Sequence, residues 1–398
     1  MPAVPSWVCC QLGAREHFMV PAALKRRGAL AQLITDFWIR PGHPVATVLP
    51  RLRDRYHPAL DGSVHAFNGP ALAFEAREFA RGTRAWSRMI RRNEWFQRLA
   101  VAQLEHSLNG HAVLFSYSYA ARRVFEYAKR RGCTTVLTQI DPGPAEEQLV
   151  ASLHRAHPDI EPRWKPAPPE YWQRWREEVD LADRVVVHSA WSRDALVGVG
   201  IPLEKLVVIP LAYEPPAGAA TFTRRYPDRF THERPLRVLF LGQVTLRKGV
   251  LALLEAAREL RHEPIEFIVA GPSTLGRQQR SAQGRIRWAG RVLRGRTAAA
   301  YRQADVFLFP TQSDGFGLTQ LEAQAWRLPV IATSNCGQVV RHGVNGVLLD
   351  DGGGVEIAAV LRQMVADPAS LTAMSASSRV DEQHLPDRFA AALLQCVP

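Results

Sequence analysis

The chain has 398 residues, 46% of them hydrophobic and 22% charged, with a net charge of +12. The length exceeds one ordinary core and predicts two domains, and the composition excludes a disordered chain. No apolar run reaches the roughly 18–20 residues of a spanning helix, so none is expected. The basic balance fits an anionic partner (nucleotide, phospholipid surface or nucleic acid) or simply an Arg-rich chain that binds nothing special.

The opening segment, MPAVPSWVCCQLGAREHF, lacks the basic and apolar regions of a secretory signal. A cytoplasmic location is the expectation. The first strand is expected at 6–11. In QLGAREHF, which follows it, Gly13 permits a tight strand-to-helix turn beside a cleft. His17 reads more readily as a capping or packing residue than as a catalyst, and stands as a candidate first-domain site residue. The turn is neither GxGxxG nor GxxxxGK[ST], so it names no nucleotide.

Further strands are expected at 30–34, 64–67, 111–116, 134–139, 184–188 and 206–209, with helices between them, for example at 19–28, 85–108, 120–131 and 191–199. The strands are short, β-branched and nearly continuously apolar, as parallel strands buried on both faces are. Residues 81–98 interleave Arg81, Arg84, Arg88, Arg91 and Arg98 with Trp86, Met89, Ile90, Trp95 and Phe96. That pattern fits a helix on an anionic membrane, or an ordinary domain helix whose aromatics are core. In TQIDPGPAEE (138–147), Asp141 reads either as the turn residue of Asp-Pro-Gly or as a cleft residue. The five cysteines, Cys9, Cys10, Cys133, Cys336 and Cys396, form neither a disulfide framework nor a zinc spacing, and are expected to be reduced and mostly buried.

Residues 210–235 carry five prolines and no period, which marks the domain boundary. The expected domains are 1–213 and 214–384, with a final helix at 385–398 packing back on the first. Beyond the boundary, βα alternation resumes, with strands at 236–241, 265–270, 286–289, 305–309, 329–333 and 346–349 and helices at 249–261, 296–304, 317–327 and 354–366. The fold class is α/β: two Rossmann-like, doubly wound domains whose strand ends face a shared cleft.

Two stretches of the second domain carry the chemistry. In LFLGQVTLRKGV (239–250), Gly242 opens a loop, and Arg247 and Lys248 sit at a helix start, where adjacent cations oppose the macrodipole unless an anion lies between them. A diphosphate fits. In TQSDGFGLTQLEA (311–323), Asp314 and Glu322 flank Gly315, Phe316, Gly317 and Leu318 at a strand's carboxyl end. Glycines admit a ligand to backbone N–H groups, and carboxylates accept from hydroxyls, so a sugar or ribose is the natural partner. No HExxH, Cys/His cluster or D-x-D pair occurs, so no metal or other cofactor is expected.

In combination these stretches resemble the family-4 glycosyltransferases of the GT-B fold over nearly the whole chain. PTQSDGFGLTQLE resembles the family's E-x7-E segment, with Asp314 in the place of the usual first Glu. GQVTLRKG resembles its diphosphate-binding pair, and ADRVVVHSAWSRDAL, AGRVLRGRTAAAYRQADVFLFPT and VIATSNCGQVVRHGVNGVLL follow its order. Many relatives carry a His where TQID stands here. The resemblance implies a retaining, metal-independent hexosyl transfer from a nucleotide-sugar donor to a hydroxyl acceptor, lipid-linked or polysaccharide, at the cytoplasmic face of a membrane. Arg247 and Lys248 would then neutralise the leaving diphosphate. Asp314 and the backbone of Gly315, Phe316 and Gly317 would hold the sugar, Glu322 would hold the ribose, and Gly13 would let the first domain close over the diphosphate. The rival readings are an epimerase or phosphorylase of the same architecture, a nucleotide-sugar-binding protein without turnover, and a nucleic-acid-binding protein. The last lacks a reader module, so no nucleic acid is expected as a partner.

Overall fold

The computed structural model describes residues 6–83, 85–108, 111–276 and 284–397. Two fully parallel sheets organise them. The first has seven strands: β1 Trp7–Gln11, β2 Leu30–Thr35, β3 Val64–Ala66, β4 Val113–Tyr117, β5 Thr134–Thr138, β6 Arg184–Val187 and β7 Leu206–Val208, in the order β3-β2-β1-β4-β5-β6-β7. The second has six: β8 Leu236–Leu241, β9 Ile265–Ala270, β10 Ile286–Gly290, β11 Val306–Phe309, β12 Val330–Thr333 and β13 Gly346–Leu349, in the order β10-β9-β8-β11-β12-β13. Strand order reverses between β1 and β4 in one sheet and between β8 and β11 in the other. Those switch points are where a doubly wound sheet opens a crevice at its carboxyl ends.

Helices cover both faces. Phe96, Ala100 and Leu104 of the Ala85–Ser107 helix pack with Val8, Leu114 and Leu137 in one core cluster. On the opposite face, Trp7, Cys9 and Phe115 pack with Phe389, Ala390 and Leu393 of the Pro386–Gln395 helix. The chain's last helix thus lies on the first sheet. Cys9, Cys10, Cys133 and Cys336 are buried free thiols, and Cys396 is half-buried.

The proline-rich 210–235 segment holds only one short helix, Ala217–Ala220, between β7 and β8. The passage out to the second domain and the passage back run side by side. Tyr213 N donates to the His384 carbonyl at 2.8 Å, and His384 Nδ1 lies 3.1 Å from the Leu211 carbonyl.

Three of the five arginines named in the 81–98 stretch are paired with acids, and Arg98 is exposed. Arg88 pairs with Glu75 and Arg91 with Glu78, both on the neighbouring Asn68–Ala80 helix. Arg81 pairs with Glu78 as well, and Arg84 lies outside the described residues. Ile90 and Phe96 are buried and Trp95 stacks on Phe74, so these apolar residues are core.

Candidate functional site

Two cavities meet at the carboxyl ends of the sheets. The smaller, of about 210 Å³, is lined from the second domain by Gly242, Lys248, Asp314 and Phe316, and from the first by Glu16 and His188. The larger, of about 910 Å³, takes its walls mainly from the first domain and includes Arg15, Tyr119, Asp141, Tyr171 and Arg247. Ile140 lines both, and the adjacent Arg247 and Lys248 face one each.

The positions of the two cations follow from the local fold. Leu246–Lys248 form one 3-10 turn, closed by Gly249 at φ +76°, and the Val250–Glu259 helix follows. A Cβ at Gly249 would lie 1.8 Å from the Pro310 carbonyl oxygen, so only glycine lets this turn sit against the end of β11. Gln312 N then donates to the Arg247 carbonyl at 2.8 Å, tying the turn to the 311–314 loop.

Acids of the protein itself stand beside both cations. Lys248 Nζ contacts Asp314 Oδ2 directly. Arg247 Nη1 lies 3.3 Å from both Glu146 oxygens and donates to the Ser313 carbonyl at 3.1 Å. Burial pushes the Asp314 carboxyl up, but Lys248 and Arg247 more than offset this and leave it below its ordinary value. Burial lowers the Lys248 ammonium, and Asp314 only partly restores it.

Glu146 was not singled out by sequence reading, although it opens the Pro144–Ala156 helix directly after Asp-Pro-Gly. It accepts from Ser313 Oγ at 2.8 Å across the domain interface. Burial, only partly countered by Arg247, pushes its carboxyl up to about 7. Folded Glu146 therefore keeps a proton that the unfolded chain releases above about pH 4.5. Its burial costs stability progressively from there to about pH 7, and no more beyond. Above pH 7 the carboxylate competes for Arg247. If Arg247 holds a diphosphate, donor KM should rise about threefold to tenfold as pH passes from 6 to 8, the size of a partly screened ion pair. Glu146→Gln should flatten that profile at the tighter value. Steady-state KM against pH checks this, and an identical slope in the variant would contradict it.

Glu16 and His188 form the opposite wall of the smaller cavity. Glu16, His17 and Phe18 all adopt left-handed backbone, with φ of 48°, 58° and 63°. Such a run of non-glycine residues is costly. It is held by Gln11 Nε2, which donates to the carbonyls of Gly13 and Arg15 at 3.0 Å, and by Tyr117, whose hydroxyl donates to Glu16 Oε2 at 2.9 Å. His188 follows β6 immediately. Its Nδ1 donates to the Ile209 carbonyl at 2.8 Å, which leaves Nε2 buried, without a hydrogen bond among the described residues and 3.8 Å from Glu16 Oε1. The available signal for His188 was its place at the carboxyl end of a buried parallel strand.

The other expected residues are distributed as follows. Gly13, at φ +90°, donates its N–H to Asp36 Oδ1 at 2.9 Å, behind the larger cavity. Asp141 serves both readings. It lines the larger cavity, and its Oδ1 also accepts from Gly143 N at 3.0 Å, as a turn residue does. His17 lines neither cavity. Burial, with Arg294 and His57 nearby, pushes its imidazole down to about 3, so it stays neutral. Gly317 and Leu318 line the smaller cavity. A Cβ at Gly315 would lie 2.1 Å from the Ile140 carbonyl oxygen, and the Gly315 carbonyl accepts from Ser189 Oγ at 2.8 Å. The glycine therefore closes the two domains on each other. Glu322 sits in the first turn of the Thr319–Ala325 helix and lines neither cavity. Its Oε2 accepts from Tyr301 at 2.7 Å, while Oε1 has no hydrogen bond among the described residues. Among those residues no group of three or more His, Cys, Asp or Glu is placed to hold a metal ion.

Two doubly wound domains whose strand ends face one cleft, with a cationic loop and Asp314 at that cleft, are the GT-B architecture. Residues 235–367 match the family model for glycosyl transferases group 1. The chain is 27% identical to a D-inositol 3-phosphate glycosyltransferase of Xylanimonas cellulosilytica, across 94% of its own length and 88% of that protein's. A protein of the same description from Kineococcus radiotolerans is 31% identical across 50% of this chain, which there spans about half of its relative (53%). In three dimensions the chain is similar to Anabaena Alr3699/HepE, crystallised with UDP, with a TM-score of 0.63, 15% identity and 98% of each chain covered. The resemblance to family-4 glycosyltransferases of the GT-B fold is borne out by these findings.

Proposed function

We propose that the protein transfers a hexosyl group from a nucleotide-diphosphate sugar to a hydroxyl acceptor, with retention at the anomeric carbon and without a metal ion. The observation that carries this reading is the Lys248–Asp314 pair facing the smaller cavity, with Arg247 beside it at the larger one. The relatives named above are glycosyltransferases, and the Anabaena protein was crystallised with UDP.

In this reading the donor diphosphate lies along Arg247 and Lys248. The two cations neutralise the charge that grows on its oxygen as the bond to the anomeric carbon breaks. Positive charge that is preorganised and shielded from water is worth most at that moment. Asp314 gives up part of its contact with Lys248 to accept from sugar hydroxyls, and Glu322 Oε1 accepts from the ribose. His188 and Glu16 face the sugar from the first domain. The acceptor hydroxyl enters from the larger cavity and bonds to the anomeric carbon on the face the diphosphate leaves. Its proton passes to the departing phosphate oxygen. No protein nucleophile takes part.

A panel of UDP-, GDP-, ADP- and dTDP-sugars, tested by thermal shift with EDTA present, checks the donor. One nucleotide should raise the melting temperature selectively. Proton NMR of the glycoside formed from that donor should show an unchanged anomeric configuration. Inversion would sink the retaining step, and donor conversion to its epimer would favour an epimerase instead.

A further inference from the structure

The turn that bears Arg247 and Lys248 is held at its start by the other domain. Leu246 opens that turn, so its N–H has no partner within it, and the residue is 2% exposed. Thr245 stands in the capping position, but its side chain caps nothing, and its Oγ1 is buried without a hydrogen bond among the described residues. The acceptor comes from 85 residues earlier in the chain: Glu161 Oε2 takes the Leu246 N–H at 2.8 Å. Glu161 Oε1 accepts from the hydroxyl of Thr274, in the loop that follows β9. Thr274 N donates to the Val244 carbonyl at 3.4 Å. One carboxylate of the first domain thus spans the strand-end loops that follow β8 and β9.

Glu161 is itself fixed in place. It is buried, in the 157–168 loop between the Pro144–Ala156 and Pro169–Leu181 helices. His154 Nε2 lies 3.4 Å from its Oε2, and the His154 ring stacks on Trp164 with centroids 4.2 Å apart. Ile160 packs against the core of the second domain. Past Trp164 the loop is tied back to the first domain. The Lys165 carbonyl accepts from Trp86 Nε1 at 3.0 Å, and Ala167 N donates to Glu147 Oε1 at 2.6 Å. The Pro144–Ala156 helix also carries Glu146, which pairs with Arg247. One helix and the loop after it therefore grip the same turn twice, by the Arg247 side chain and by the Leu246 backbone.

We infer that Glu161 is a positioning residue of the donor site: from the first domain it fixes the Leu246–Lys248 turn, so that both cations stand where a diphosphate meets them. The inference rests on the transferase reading, in which Arg247 and Lys248 hold the diphosphate. Glu161 acts through the backbone, because Lys248 already contacts Asp314 and Arg247 already contacts Glu146. Without it the Leu246 N–H would be buried and unpaired, and the turn would shift to relieve that cost. The ribose is held in this reading by Glu322, on another helix, so the loss falls on the diphosphate alone.

The test titrates the full-length protein with the nucleoside diphosphate that the thermal-shift panel selects (UDP, GDP, ADP or dTDP) and with its parent nucleoside. Wild type, Glu161→Ala, Glu161→Gln and Thr274→Val are compared, each checked for folding by circular dichroism. Glu161→Ala should weaken the diphosphate about tenfold, the worth of one hydrogen bond to a charged acceptor, and leave the nucleoside within about twofold. Glu161→Gln keeps an oxygen for the Leu246 N–H and should recover to within about threefold of the wild type. Thr274→Val removes one of the two anchors of Glu161. It should cost the diphosphate about threefold and the nucleoside nothing, and it decides the matter should Glu161→Ala not fold. Equal losses for nucleoside and diphosphate would reduce Glu161 to a structural residue and overturn the inference. Undiminished diphosphate binding in Glu161→Ala, or a Glu161→Gln as weak as Glu161→Ala, would overturn it too. Arg247→Ala/Lys248→Ala is titrated alongside. Unchanged diphosphate affinity there defeats the donor site itself, whereas a loss there with none in Glu161→Ala defeats only the positioning role.

Discussion

Lys248→Met is expected to lower kcat/KM for the donor by about 10²- to 10³-fold, the usual loss when one preorganised charge at a developing oxyanion is removed. The same change leaves Asp314 without the ion-pair partner it contacts. Removing one partner of a buried pair typically costs about 3–5 kcal/mol, because the remaining charge is unsolvated. A single variant therefore confuses catalysis with stability, and the double variant separates them. Lys248→Met/Asp314→Asn should regain most of the lost stability, since a neutral amide is easier to bury than a lone carboxylate, and should regain none of the activity. Urea midpoints and initial rates on the three proteins decide the matter. Recovery of both properties together would reduce the pair to a structural ion pair.

Gly249→Ala should be the most damaging single-methyl change in the donor site. Its new Cβ would meet the Pro310 carbonyl oxygen at 1.8 Å, at a residue with φ +76°. Overpacking costs roughly 1–3 kcal/mol and a left-handed alanine roughly 1–2 kcal/mol more. The turn must back away from β11, which carries Arg247 and Lys248 away from Ser313 and Asp314. Donor affinity should then fall at least tenfold in whatever fraction remains folded. Gly295→Ala is the control, because nothing lies within 4 Å of a Cβ there. It should leave stability and affinity within experimental error of the wild type. Wild-type donor affinity in Gly249→Ala would show that the turn does not position the cations.

The sheet framework was legible because parallel strands buried on both faces announce themselves by composition. β8, β9 and β13 fall at the expected bounds, and the other strands differ by a residue or two at their ends. Helix ends were less legible. The helix expected at 317–327 covers only Thr319–Ala325, because Gly317 adopts φ +85° and cannot begin it. Asp314, Arg247 and Lys248 were legible as a chemical set, since cations and acids at strand ends suit a phosphorylated sugar. Their direct pairing was not, because Lys248 and Asp314 lie 66 residues apart and nothing local links them. Glu146 pairs with Arg247 across 101 residues and across two domains. Glu16 escaped notice for another reason. Its approach to the cleft depends on three successive left-handed residues, none of them the glycine that normally signals such a backbone. The arginines of 81–98 had the spacing of a membrane face, yet sequence periodicity cannot show that Glu75 and Glu78 stand opposite them.

The central claim is that Arg247 and Lys248 hold the diphosphate of a nucleotide sugar. Isothermal titration of the wild type and of Arg247→Ala/Lys248→Ala, using the nucleotide-sugar chosen by the thermal-shift panel and with EDTA present, tests it most directly. Both proteins are checked for folding by circular dichroism. The account predicts one-to-one binding by the wild type and at least a hundredfold loss in the folded double variant. Undiminished binding by that variant would place the diphosphate elsewhere and contradict the account.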